Sequence, residues 1–170
     1  MQETPQEYTQ RILGYIKDTD PLTVLSTSPR KVAALVKGAS RAALSRKPQP
    51  DKWSVTEILA HLADVELVQG FRIRLILGAS GTAIQGFDQD VWAQYSAYAK
   101  HDPGLSLEAY TVLRARTVRL LKGLTPEMWQ RFGMHSERGK ETVKRVSEMM
   151  AGHDVNHMSQ IKAILKKKKS

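Results

Sequence analysis

Residues 143–164 read VKRVSEMMAGHDVNHMSQIKAI, and their spacing decides the fold. Val143, Val146, Met150, His153, His157, Ile161 and Ile164 recur at steps of three or four, so they stack on one face of a helix. That face is apolar except for two histidines four residues apart. A packed helix wants aliphatic side chains there. An imidazole in their place needs a hydrogen-bond partner or a metal, because an unpaired polar group in a core is costly. The helix is expected over about Glu141 to Lys166.

A second long helix is marked just as clearly upstream. Trp53-Ser54-Val55-Thr56-Glu57-Ile58 follows the stiff connector Pro48-Gln49-Pro50-Asp51-Lys52. Ser54 and Glu57 have capping-box spacing, and Trp53 can staple onto Ile58. The helix should run to about Leu77 and stop near Gly78 and Gly81. His61 lies on its inner stripe, with Ile58, Val65 and Val68 at −3, +4 and +7.

The rest of the chain also reads as helical, since no alternating strand pattern of useful length occurs. A short helix is expected over Gln6 to Lys17, with another short piece from Asp20-Pro21. Ser28-Pro29 reads as an N-cap with proline at the first helical position, opening a helix through Lys37. A short helix ends near Tyr98. A long one spans Leu105 to Leu124, with Tyr110, Leu113, Leu120 and Leu124 inward, and Thr125-Pro126 caps a turn carrying Trp129. The loop His135 to Lys140 leads into the last helix. The expectation is an all-α chain: an antiparallel or crossover four-helix bundle with short additional helices, a single domain over 1–170 with a frayed basic tail at 166–170.

Composition narrows the function. No apolar run is long enough to cross a bilayer, and the polar start, Met1 to Gln10, lacks a secretory core; the reading is cytoplasmic, with no membrane partner. The chain has no cysteine, which removes disulfides, thiolate ligands and a cysteine nucleophile of its own. Of the net charge of +9, four charges are Lys166 to Lys169. Arg114, Arg116 and Arg119 are interleaved with core positions and lack an aromatic or glycine-rich companion signature. No specific nucleic-acid site is expected.

Three of the five histidines therefore face inward on two long helices. An i, i+4 pair can chelate one ion from a single helical face, and a facing helix can supply the third nitrogen. The alternative is a buried histidine network bonded to carboxylates and water. His153-Asp154-Val155-Asn156-His157 has the spacing of the zinc-protease motif H-E-x-x-H, but aspartate stands where the general base belongs and no further ligand follows. A protease is not expected.

The block Lys52 to Asp64, KWSVTEILAHLAD, resembles the second-helix signature of the DinB/YfiT-like superfamily. Gly152 to Ile161, GHDVNHMSQI, resembles its closing H-x-x-x-H motif. Phe87-Asp88-Gln89-Asp90 and His135 to Gly139 are similar to segments of its DinB-like branch. The resemblance implies a four-helix bundle in which His61, His153 and His157 bind a divalent ion, nickel or zinc in the usual case, with iron a third option. It also implies a thiol S-transferase of the bacillithiol or mycothiol type, with a low-molecular-weight thiol and an electrophile as partners; a metal-dependent hydrolase would use metal-bound water at the same three histidines instead. A non-catalytic, stress-associated metal-binding bundle, dimeric through a helix face, stands beside them.

Further residues carry two readings each. Glu57 is assigned to the capping box ahead of the metal shell. Asp64 and Asp154 either accept the second ring N–H of a ligating histidine or are solvated face residues. Gln160 either lines the pocket floor or bridges helices. Asp88 and Asp90 suit N-capping better than acid–base work. His101 and His135 are expected to be exposed and inert, and Trp53, Trp92, Trp129, Tyr95 and Tyr98 are expected to bury aromatic surface.

Overall fold

In a computed structural model of the chain, residues 3–166 are described, and the basic tail lies from residue 167 onward outside the described residues. Among them are eight α-helices: α1 (Pro5–Gly14), α2 (Pro21–Val36), α3 (Arg41–Ser45), α4 (Val55–Gly78), α5 (Gln89–Tyr95), α6 (Pro103–Lys122), α7 (Pro126–Gln130) and α8 (Val143–Lys166). Three short strands, β1 (Thr82–Ile84), β2 (Phe132–His135) and β3 (Gly139–Thr142), and a 3-10 turn at Tyr98–Lys100 complete the chain. No helix of the described residues is long and apolar enough to cross a membrane.

The helix starts follow their side-chain chemistry. Ser54 and Glu57 form the expected reciprocal box: Ser54 Oγ accepts from the Glu57 amide, and the Glu57 carboxylate accepts from the Ser54 amide. Thr4, Asp20, Asp102 and Thr125 cap α1, α2, α6 and α7, each followed at once by proline.

Ser28-Pro29 is not a helix start. One helix runs from Pro21 to Val36 with Pro29 inside it, and Ser28 Oγ donates back to the Val24 carbonyl at 2.9 Å. Proline has no N–H for the carbonyl four residues back. Here that is Leu25 O, and Arg114 Nη1 of α6 donates to it instead, at 3.4 Å. A tertiary contact thus satisfies the group that proline leaves bare.

The bundle is made by α2, α4, α6 and α8. Each of α2 and α4 packs against both α6 and α8, which puts the first and second long helices on a diagonal of the bundle, the crossover arrangement. The short α1 lies on α8. Gly152 is what lets it approach: a Cβ there would sit 2.1 Å from the Ile12 carbonyl oxygen. The strands add a small sheet in the order β1-β2-β3, in which β1 pairs parallel with β2 and β2 pairs antiparallel with β3. The segment expected as a loop from His135 is the β2–β3 hairpin.

Two apolar clusters fill the interior. One gathers Leu25, Ile73, Ile76, Val118, Leu121, Val143 and Met150; the other gathers Val32, Val55, Ile58, Leu62, Tyr110 and Ile161. Each of the four long helices contributes to both. Between the clusters α4, α6 and α8 carry buried polar side chains: His61 and Glu66, then Arg114, then His153, Asp154 and His157. Burying an aliphatic side chain contributes roughly 1.5–3 kcal/mol, so the clusters hold the bundle together. The polar layer adds little net stability, because its charges must be desolvated.

The inward face of α6 differs from the expected one. Arg114, Thr117, Val118 and Leu121 are buried, while Leu113 and Leu120 are half-buried. Similarly, on α4 Val65 and Val68 are half-buried, and Glu66, Gly70 and Arg72 take the interior. The Arg114 ion pairs with Glu66 and Asp154 and the hydrogen bond from Arg72 to the Gln85 carbonyl hold these charged side chains inside.

Candidate metal centre

Every residue of the α8 stripe is buried, and its histidines meet His61 of the neighbouring α4. The Nε2 atoms of His61 and His153 are 3.0 Å apart, as are those of His153 and His157. One nitrogen from each ring lies within 4.8 Å of the others. His157 Nδ1 is 2.8 Å from Gln160 Oε1. An amide oxygen accepts, so Nδ1 carries the ring proton and Nε2 offers its lone pair to the cluster.

Protons alone do not satisfy this cluster. His153 Nε2 offers one proton or one lone pair to two nitrogens, each at 3.0 Å, so one contact is left without a hydrogen bond. His61 Nδ1 is also buried without a partner among the described residues. A cation accepting three lone pairs would remove the conflict, and nitrogens so spaced suit metal–nitrogen bonds of about 2.0–2.1 Å. Electrostatics point the same way. Burial, with the charge of Arg114 second, lowers the His153 imidazolium to about 4. Burial, reinforced by the neighbouring imidazoles, holds His61 and His157 well below the usual histidine range. All three rings are neutral at pH 7, the ligating form.

The supporting residues divide differently from expectation. Gln160 touches a histidine ring. Asp64 instead accepts from the Tyr98 hydroxyl at 2.6 Å. Asp154 pairs with Arg114, whose Nη2 lies 3.1 Å from Oδ1, while Arg114 Nε donates to Glu66 at 2.6 Å. Neither aspartate meets a histidine ring; Asp154 anchors the turn of α8 that carries His153. Glu57 is held in its box and by Lys47. Asp88 caps α5, accepting from the Asp90 and Val91 amides. Trp53 lies against His61, ring centres 4.7 Å apart, so it walls the site as well as burying its own surface.

Two cavities reach the cluster. The larger, about 450 Å³, is lined by Trp53, Lys52, Arg11, His153, His157 and Gln160, among others. The smaller, about 280 Å³, is lined by His61, His153, Arg72, His135 and Phe87, among others. They share Tyr8, Gln89 and His153.

His135 corrects the expectation that it is exposed. Placed by the end of β2, it is 4% exposed. No sequence signal marks it, since a four-residue strand with glycine in it is too short to show alternation. His101 is half-buried, its Nε2 2.9 Å from the Ser96 carbonyl, and it lines neither cavity.

Comparisons with known proteins bear on this arrangement. A protein of Bacillus subtilis, YfiT, whose name assigns it to the metal-dependent hydrolases, is 26% identical over 142 residues, covering 82% of this chain and 79% of that one. A protein of Oceanobacillus iheyensis given the same assignment is 27% identical over 116 residues, covering 68% of this chain and 67% of the other. The solved structure of YfiT, described as having an unusual four-helix bundle topology, superposes with a TM-score of 0.81 at 24% identity, over 86% of this chain and 84% of that one. Residues 25–161, which span α4, α6 and all three clustered histidines, match the DinB superfamily, and the chain belongs to that family.

Proposed function

We propose that this protein is a metal-dependent enzyme in which His61, His153 and His157 hold a divalent ion, and that it transfers a small thiol to an electrophile. The observation that carries the reading is the pair of cavities meeting at one cluster of neutral imidazoles. Two cavities suit two substrates, whereas hydrolysis asks for one substrate and water. A bound ion would lower the pKa of a coordinated thiol and supply a nucleophile at neutral pH. The absence of cysteine from the chain is compatible with a thiol that comes from outside.

The chain's own residues have distinct tasks in this reading. Gln160 fixes the tautomer of His157, and Trp53 shields His61 from water. Tyr8, at the junction of the cavities, presents a phenol that burial holds protonated, a donor for either substrate. The acidic residues that line the cavities, Glu3, Asp51, Asp90 and Glu137, are all exposed, so no buried carboxylate stands ready as a general base. A thiol activated by coordination needs none.

The hydrolase reading is the second, supported by the names of the relatives. Trihistidine sites accept several first-row ions, and nickel or zinc is the expected occupant. Elemental analysis of untagged protein, beside His61→Ala and His157→Ala, comes first. Near-stoichiometric metal in the parent and its loss in both variants supports the centre. A parent that takes up neither nickel, zinc nor iron overturns it. With metal in place, consumption of an electrophile that requires thiol one for one supports transfer. Ester cleavage in thiol-free buffer supports hydrolysis, and neither activity favours a non-catalytic bundle.

A further inference from the structure

The smaller cavity has a second polar end that the metal centre does not use. Arg72 of α4 and His135 of β2 both line it, 5% and 4% exposed. Arg72 Nη2 donates to the Gln85 carbonyl, and its guanidinium stands 5.5 Å from the centre of the Phe87 ring. It forms no ion pair among the described residues. The acids nearby are committed or turned outward. Arg138 holds Glu141 through two hydrogen bonds, at 2.7 and 3.0 Å. Arg11 holds Glu3, and the exposed Glu137 lies against Gly86.

His135 complements this charge. The Glu137 amide donates to its Nδ1 at 3.1 Å, so the neutral ring carries its proton on Nε2. That Nε2 is buried and has no partner among the described residues. A buried guanidinium without a counter-charge and a buried N–H without an acceptor are each costly, and both line one cavity.

We propose that Arg72 and His135 form a carboxylate-binding subsite, and that the substrate entering the smaller cavity is a small carboxylic acid held with its reactive end toward His61 and His153. One guanidinium and one neutral N–H match a single negative charge. The planar fork of arginine fits two carboxylate oxygens, and a phosphate dianion would leave a charge uncompensated. A volume of about 280 Å³ confines the ligand to a small molecule. This subsite rests on the proposed metal centre for its catalytic meaning, although not for its ability to bind.

The test is a titration of benzoate, with benzamide as its neutral isostere, into metal-free protein, followed by NMR of the side-chain N–H signals of Arg72 and His135. The signals are assigned by comparison with Arg72→Gln and His135→Phe. The expected result is a saturable shift of both signals by benzoate, with affinity at least tenfold above that for benzamide. Arg72→Gln should remove that preference while still taking up nickel one to one. Equal binding of benzoate and benzamide by the parent, or a preference that survives Arg72→Gln, overturns the subsite. The parent measurement decides even if a variant fails to fold. Nickel uptake is measured separately on the same protein. Nickel binding without a benzoate preference removes only the subsite, and a preference without nickel binding removes only the metal centre.

Discussion

Gln160 shows how much one exposed side chain can decide. Its amide oxygen sets which nitrogen of His157 bears the proton, and so whether Nε2 has a lone pair to give. Gln160→Ala should lower metal affinity about 10–100-fold, the usual cost of losing a histidine's outer partner. Stability should scarcely change, since Gln160 is at the surface. A competition titration against a chelator checks this, and unaltered affinity would make the glutamine a bystander. Arg114 presents the opposite case. Its side chain is 4% exposed and pairs with two carboxylates that are buried more deeply still. Arg114→Met would strand both, and burial already raises the Glu66 carboxyl toward its neutral form. Urea unfolding should show a loss of about 3–5 kcal/mol. Sequence reading placed the histidines by their spacing, because an imidazole on an apolar stripe is visible as an exception. It missed the use of Asp64 and Asp154, because a carboxylate one turn from a histidine has the same pattern whether it faces a ring or an arginine on another helix.

The helices themselves were legible where their ends are encoded locally. The Ser54–Glu57 box, the Asp88 cap and the Thr125-Pro126 start all lie within four residues of what they control. Ser28-Pro29 has the same local grammar and misleads, since the hydrogen bond that tolerates Pro29 comes from Arg114, 89 residues along the chain from its acceptor Leu25. The strands were illegible for a related reason. They are three or four residues long and are defined by pairing between distant segments. Gly152 belongs to this scale as well. It separates no elements and caps nothing, yet α1 reaches α8 only because it has no side chain. Gly152→Ala should push α1 away and cost about 1–3 kcal/mol, the typical range for overpacking. Tyr8 and Arg11, which α1 brings to the cavities, would move with it. Hydrogen exchange should show lost protection in α1 with α4 retained, and protection unchanged in α1 would mean that Ile12 yields at little cost.

Taken as a whole, the molecule is two apolar clusters separated by a polar layer, and the candidate centre lies where that layer joins α4 to α8. The layer does little to hold the bundle together. Arg114 pairs with carboxylates from both of those helices, while the three imidazoles remain in mutual conflict. An ion that resolves the conflict binds the folded state and not the unfolded chain, so it must stabilise the fold by mass action. At a free nickel concentration one hundred times the dissociation constant, the gain is about 2.7 kcal/mol. For a chain of this length, each kcal/mol raises Tm by roughly 2–4 °C, so loading should raise it by roughly 5–11 °C, read by calorimetry. His153→Ala should abolish the increment, because His153 is the nitrogen that touches both others. Arg72→Gln lies at the far end of the smaller cavity and should leave it intact. An increment that survived His153→Ala would mean that nickel binds elsewhere, and the conflict among the three rings would then need another resolution, with protons and water in place of a metal.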